Sequence, residues 1–161
     1  MSEIRERVFV ACPLAHAHRY LAQVLPTDTS AEQSLVLRVP IPEGRGSAEL
    51  EQEVTVQCAP LTDPSHESEV WRISWTPRQP AIYPFFDGRI SIKAGEDYSS
   101  CRLVLEGNYE PPLGLPGRAF DAALGRRIAG ITARELLRSI AKRMEESCRA
   151  DEAHKQGEPR R

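Results

Sequence analysis

The chain has few aromatic residues, almost no lysine, no long apolar run and no excess of either charge. Two Trp, four Tyr and four Phe among 161 residues make up 6% of the sequence, so any aromatic cluster must be concentrated rather than general. No run of about 18 apolar residues is present that could span a bilayer as a helix. The 21 basic and 23 acidic side chains leave a formal net charge of −2, which argues against a surface given over entirely to nucleic acid. A nucleophile elbow, a P-loop, a dinucleotide-binding glycine triplet and a zinc-protease helix motif are all missing, and so is any C-x-x-C pair.

The composition is that of one folded domain. With 40% hydrophobic residues the sequence is too apolar for intrinsic disorder, and a chain of this length buries roughly 70% of its unfolded surface, enough for one core without staples. A single domain over residues 1–149 is expected, followed by a polar tail, 150–161, that frays. The opening MSEIRER is charged with both signs and lacks an apolar secretory core, so the expected compartment is the cytoplasm. Cys12, Cys58, Cys101 and Cys148 stand more than forty residues apart, and the expectation is four buried, reduced thiols, with two disulfides as the alternative. The strong preference for arginine over lysine points to a GC-rich bacterial genome.

Periodicity divides the chain into strand, short helix, strands and long helix. Arg5 to Cys12 is β-branched and aromatic enough for a strand. Pro13 suits a helix start, and Ala17, Tyr20, Leu21 and Val24 mark one face of a helix over Leu14 to Val24, which Pro26 stops. The period then becomes two. Leu35 to Ile41 is followed by Ala48 to Cys58, with Leu50, Val54, Val56 and Cys58 on one parity and glutamates on the other. Glu69 to Thr76 sets Trp71, Ile73 and Trp75 inward. Ile82 to Lys93 does the same with Phe86, Gly88, Ile90 and Ile92, and Cys101 to Tyr109 with Leu103, Leu105, Gly107 and Tyr109. Short polar connections imply a meander of hairpins. Pro84 belongs at an edge or a bulge.

The last third is helical. Phe120, Leu124, Ile128 and Ile131 cluster on one side, and Leu136, Leu137, Ile140, Met144 and Cys148 on nearly the opposite side. Two forms fit. One breaks near Gly130 to Thr132, where Thr132 and Glu135 have capping-box spacing. The other is a single helix whose first half packs on Ala119, Ala122 and Ala129.

That element order, together with the junction NYEPPLGLPG at Asn108 to Gly117, resembles the SRPBCC superfamily, the START and Bet v 1-like group that includes polyketide cyclases and lipid-transport proteins. Tyr109, Pro111, Pro112, Gly114 and Gly117 carry the local match, and the similarity spans about residues 5 to 148. The resemblance implies an α+β helix-grip fold: a curved antiparallel sheet of about six to seven strands around a long C-terminal helix, with an apolar cavity between them. It also implies enclosure of a small hydrophobic ligand, lipid-like or aromatic, by a carrier or sensor. Catalysis of the cyclase or dehydratase kind is carried by the resemblance alone.

Seven aromatics (Trp71, Trp75, Tyr83, Phe85, Phe86, Tyr98 and Tyr109) fall within Trp71 to Tyr109, where such a cavity would lie. Plain core packing and cavity lining are both open readings for them. The candidate ligand-binding set is Tyr20, Leu50, Val54, Trp71, Ile73, Trp75, Phe86, Ile90, Leu105, Tyr109, Phe120, Leu124 and Ile128. No general base, metal ligand set or cofactor is indicated. His16 and His18, two apart on a helix, point to different sides. Asp87 and Arg89 are expected on the outer face, because a buried pair is costly.

Charge is segregated along the chain. Seven acids stand against Arg45 between Glu43 and Val70, and eight bases against four acids from Arg118 to Arg149. Arg127, Arg134, Arg138 and Lys142 lie near one helical face, which is either a solvated back or a surface for an anionic partner such as RNA, a membrane surface or an acidic protein. A monomer or weak dimer is expected.

Overall fold

The structure is a computed structural model that describes residues 2–25, 33–43, 46–61, 70–78, 84–110 and 122–157. The elements run β1 (Ser2–Val10), α1 (Leu14–Val24), β2 (Gln33–Glu43), β3 (Gly46–Leu61), β4 (Val70–Pro77), β5 (Phe85–Ala94), β6 (Cys101–Glu110) and α2 (Ala122–Gly157). The strands form one six-stranded antiparallel sheet in the order β1-β6-β5-β4-β3-β2. The meander from β2 to β6 follows sequence order, and β1 closes the far side by pairing with β6.

Local chemistry accounts for the boundaries. Pro13 precedes α1, and its carbonyl accepts from Ala17 N at 3.0 Å. Pro40 and Pro42 fall in β2, an edge strand, where a missing donor costs least. Pro84 immediately precedes β5. This also spares the ladder a missing donor, because the residue stands before the strand and not within it.

Alternation then sorts the faces. Val54, Val56, Cys58, Trp71, Ile73, Trp75, Phe86, Ile90, Ile92, Leu103, Leu105 and Tyr109 are buried on the concave side. Arg72, Asp87 and Arg89 are exposed on the convex side. α2 packs along β1, β6 and α1 and also reaches β2. Both edges of the sheet therefore meet the same helix, and the sheet must curl around it. The backbone of α2 stands farther from β3, β4 and β5, and α1 packs on β5.

α2 is continuous through Gly130 and Thr132, so the form without a break is the one adopted. Thr132 does not cap a restart; its Oγ1 donates to the Ile128 carbonyl one turn back, at 2.8 Å. The two apolar sets are joined by Ala129, Thr132, Ala133 and Ala141, all buried. Residues four apart drift by about 40° around a helix. The described buried stripe, from Ile128 to Cys148, therefore winds around one continuous helix. The tail expected to fray is helical to Gly157. Asp151 within it accepts from Tyr20 Oη at 2.7 Å and from Arg19 at 2.9 Å, which gives those turns something to hold.

At the centre of the sheet Gly88 and Gly107 face each other across β5 and β6. A Cβ on Gly107 would meet the Asp87 carbonyl and would lie 2.6 Å from Phe86 Cζ. The Phe86 ring occupies the space that two side chains would otherwise take.

All four cysteines are buried and free. Burial, with Cys148 as a hydrogen-bonding neighbour, pushes the Cys12 thiol up to about 12. Burial alone pushes Cys58 up to about 11. Thiols held so far from their thiolate form are poor nucleophiles.

Two measurements check this packing. Gly107→Val should destabilise the protein by about 2 kcal/mol or more, from overpacking against Phe86 and the β5 backbone; an unchanged urea midpoint would show that the close approach is absent. Titration with a thiol-reactive disulfide near pH 8 should label the native protein slowly and all four cysteines once it is unfolded; fast native labelling would contradict the burial.

Candidate ligand site on the concave face

The strand register arranges the concave side chains in rows. Val56, Trp75, Phe86 and Tyr109 lie in one row across β3 to β6. Cys58, Ile73, Gly88, Gly107 and Ile4 form the next. Trp71, Ile90 and Leu105 form the third. Of the residues singled out from sequence, Val54, Trp71, Ile73, Trp75, Phe86, Ile90, Leu105 and Tyr109 are thus gathered on one face, and Ile128 is buried on α2.

The aromatic row is tightly made. Trp75 and Phe86 stack with centroids 4.1 Å apart and planes 15° from parallel. Trp75 Nε1 donates to the Pro84 carbonyl at 3.1 Å, so the indole is satisfied where the chain enters β5. Trp75 and Trp71 are 1% and 3% exposed, although the backbone of α2 packs along strands other than theirs.

Other expectations are not met in this form. Tyr20 is spent elsewhere: its hydroxyl is bonded to Asp151, and that bond, with burial second, pushes the phenol up from its ordinary value. Tyr20 thus takes part in the α1–α2 contact. Tyr98 is 94% exposed in the β5–β6 turn, and Phe85 points to the convex side, half-buried. Phe120 and Tyr83 lie outside the described residues, and for Leu50 and Leu124 only the backbone is described.

The convex face is ionic, as expected for Asp87 and Arg89, but the two do not pair with each other. Arg72 grips Asp87 through two bonds of 2.7 and 3.1 Å, and holds its carboxyl below the usual carboxylate range. Arg89 and Arg5 share Glu106, at 3.4 and 2.9 Å. On α2 the basic stripe is partly neutralised: Arg134 is bound to Glu6 and Arg138 to Glu135. Sequence reasoning missed the Arg134–Glu6 pair because 128 residues separate the partners. Among the described residues no cluster of His, Cys, Asp or Glu could hold a metal ion.

Comparison with solved structures finds matches of low identity and modest structural similarity. The chain itself folds as a six-stranded antiparallel sheet packed on a long C-terminal helix. A START superfamily protein from Mycobacterium smegmatis matches over 92% of this chain and 97% of its own, with 17% identity and a TM-score of 0.45. DynU16, a putative protein in the dynemicin biosynthetic locus, matches over 91% of this chain and 46% of its own, at 15% identity and a TM-score of 0.40. A protein from Thermus thermophilus matches over 93% and 99%, at 16% identity and a TM-score of 0.39. No protein-family model matches the chain, and no curated protein matches it in sequence. At these identities and TM-scores the matches carry no argument about this chain, and the site must be argued from its own residues.

Trp75→Phe keeps the stack and removes the donor to Pro84. It should cost about 1–2 kcal/mol for an unsatisfied buried carbonyl, read by urea denaturation; a loss within error would mean that the Pro84 carbonyl finds another donor.

Proposed function

We propose that the protein encloses a small hydrophobic molecule, aromatic or single-chain lipid-like, between the concave face of the sheet and α2, as a carrier or sensor and not as a catalyst. The observation that carries this reading is the separation of the aromatic strands from the helix. α2 packs its backbone along β1, β6 and β2, while Trp71, Trp75, Phe86 and Ile90 stand on the strands between those edges and are nonetheless buried. A concave apolar surface with few polar tips is what small-molecule sites use. Ile128, buried on α2, is assigned to the facing wall with Phe120 and Leu124, and Leu50 on β3 to the sheet side, by sequence pattern.

A second reading gives the basic face of α2 an anionic macromolecular partner, with Arg127, Arg134, Arg138 and Lys142 as contacts. It is the weaker of the two, because Arg134 and Arg138 already hold carboxylates of the same chain. Cyclase-like chemistry has no further support, since no residue pair has been assigned as acid and base. No helix among the described residues is long and apolar enough to cross a membrane. A cytoplasmic monomer or weak dimer fits this reading.

Native mass spectrometry of the purified protein, with Trp emission followed against a panel of polycyclic aromatics and medium-chain fatty acids, tests the proposal. Saturable one-to-one binding that shifts Trp emission is expected. Ile90→Trp, which fills the space beside Trp71, should weaken it by roughly tenfold or more. A panel without response, or binding untouched by Ile90→Trp, would overturn the assignment of the site.

A further inference from the structure

β1 is an edge strand, and between it and the first half of α2 lies a groove of about 530 Å³ whose charge is one-sided. Among the described residues four arginines line it, Arg5, Arg126, Arg127 and Arg134, against the one carboxylate of Glu6. Two of the four are already committed. Arg134 lies on Glu6 at 3.0 and 3.1 Å, and Arg5 on Glu106 at 2.9 Å. Arg126 and Arg127 are exposed, and among the described residues neither has a carboxylate partner.

We propose that this groove binds a phosphate monoester that carries an apolar group. The charge count selects the class. Two uncommitted guanidiniums face the groove, and they stay charged at any physiological pH. A phosphate monoester brings nearly two negative charges at neutral pH, whereas a carboxylate would leave one guanidinium unanswered. Guanidinium forks also match phosphate oxygens in paired hydrogen bonds.

Shape adds the apolar group. Ile4 is buried and Ile131 half-buried at the same groove, and the volume is several times that of a bare phosphate. Gly130 keeps the floor open: a Cβ there would lie 3.2 Å from Glu6 Oε1, and anything larger would fill the groove and displace Glu6 from Arg134. The groove shares Ile4 with the concave rows, but none of Trp71, Trp75, Phe86 and Ile90 lines it, so the two sites can be tested apart.

The experiment is calorimetry at low salt with 1-naphthyl phosphate, with 1-naphthol and inorganic phosphate as comparisons. One-to-one binding of the ester is expected, with inorganic phosphate weaker. The double variant Arg126→Ala/Arg127→Ala should weaken the ester by roughly ten- to hundredfold. Gly130→Leu, which keeps every arginine, should abolish ester binding, and thermal unfolding confirms that each variant is folded. Any naphthol binding should be unchanged in the double variant, since it reports the concave face. Ester binding that survives both variants, or is absent from the unaltered protein, overturns the proposal. So does tight binding of RNA, lost in the double variant, without binding of the ester. Cosedimentation with phosphatidic acid vesicles, lost in the double variant, would identify the phosphate as a lipid headgroup. Binding of the soluble ester without cosedimentation would identify it as a soluble metabolite.

Discussion

The concave face depends on the absence of two side chains. Gly88 and Gly107 are direct partners on β5 and β6, and a Cβ on either would collide with backbone and with the Phe86 ring. Phe86 therefore lies along the sheet instead of standing up from it. In that position it meets the indole of Trp75, its cross-strand partner, in a stack, and the indole N–H reaches the Pro84 carbonyl at the entry to β5. Glycine inside a strand weakens it. Here that cost is offset by an aromatic pair that covers the bare backbone and leaves the ring edges near the sheet, where an upright Phe would have reached toward α2.

The helix solves a complementary problem. A single helix gripped by both edges of a sheet cannot keep one fixed face inward, because its surroundings change along its length. α2 meets this with a stripe of residues about four apart, from Ile128 through Leu136 and Ile140 to Cys148, which rotates slowly as it advances. Small side chains, Ala129, Ala133 and Ala141, accompany the stripe and let neighbours come close. At the far end the helix is held by polar contacts: Glu145 accepts from Ala11 N at 2.8 Å, and Asp151 accepts from Arg19 and Tyr20. Contacts at such exposed positions contribute little energy each, but they set where the last turns lie against α1.

Strand parity was legible because one side of the sheet is wet: with Glu and Arg on alternate positions, Trp71, Ile73, Trp75, Phe86, Ile90, Leu105 and Tyr109 had only one face to take. The short helix at Leu14–Val24 was legible for the same kind of reason, through Pro13 and a single apolar face. What sequence left open depends on contacts between distant residues. Thr132 has the spacing of a cap, and only the neighbouring Ile128 carbonyl reveals that it back-bonds within an unbroken helix. Tyr20 looks like a cavity residue until Asp151, 131 residues away, takes its hydroxyl. The basic stripe looks uniform until Glu6 and Glu135 claim Arg134 and Arg138.

The near-zero net charge is therefore a cancellation made in space. On the convex face cations meet anions across neighbouring strands, Arg72 with Asp87 and Arg89 and Arg5 with Glu106, so that surface is charged without being strongly signed. β6 and β5 can supply such partners because each has a strand on either side. β1 has β6 on one side only, and its free edge faces α2, whose sequence there offers Arg126, Arg127 and Arg134 but no acid. Glu6 answers Arg134 and nothing more. Among the described residues, a positive groove at this edge follows from strand order and helix composition together, which is why neither the total charge nor the stripe on the helix alone points to it.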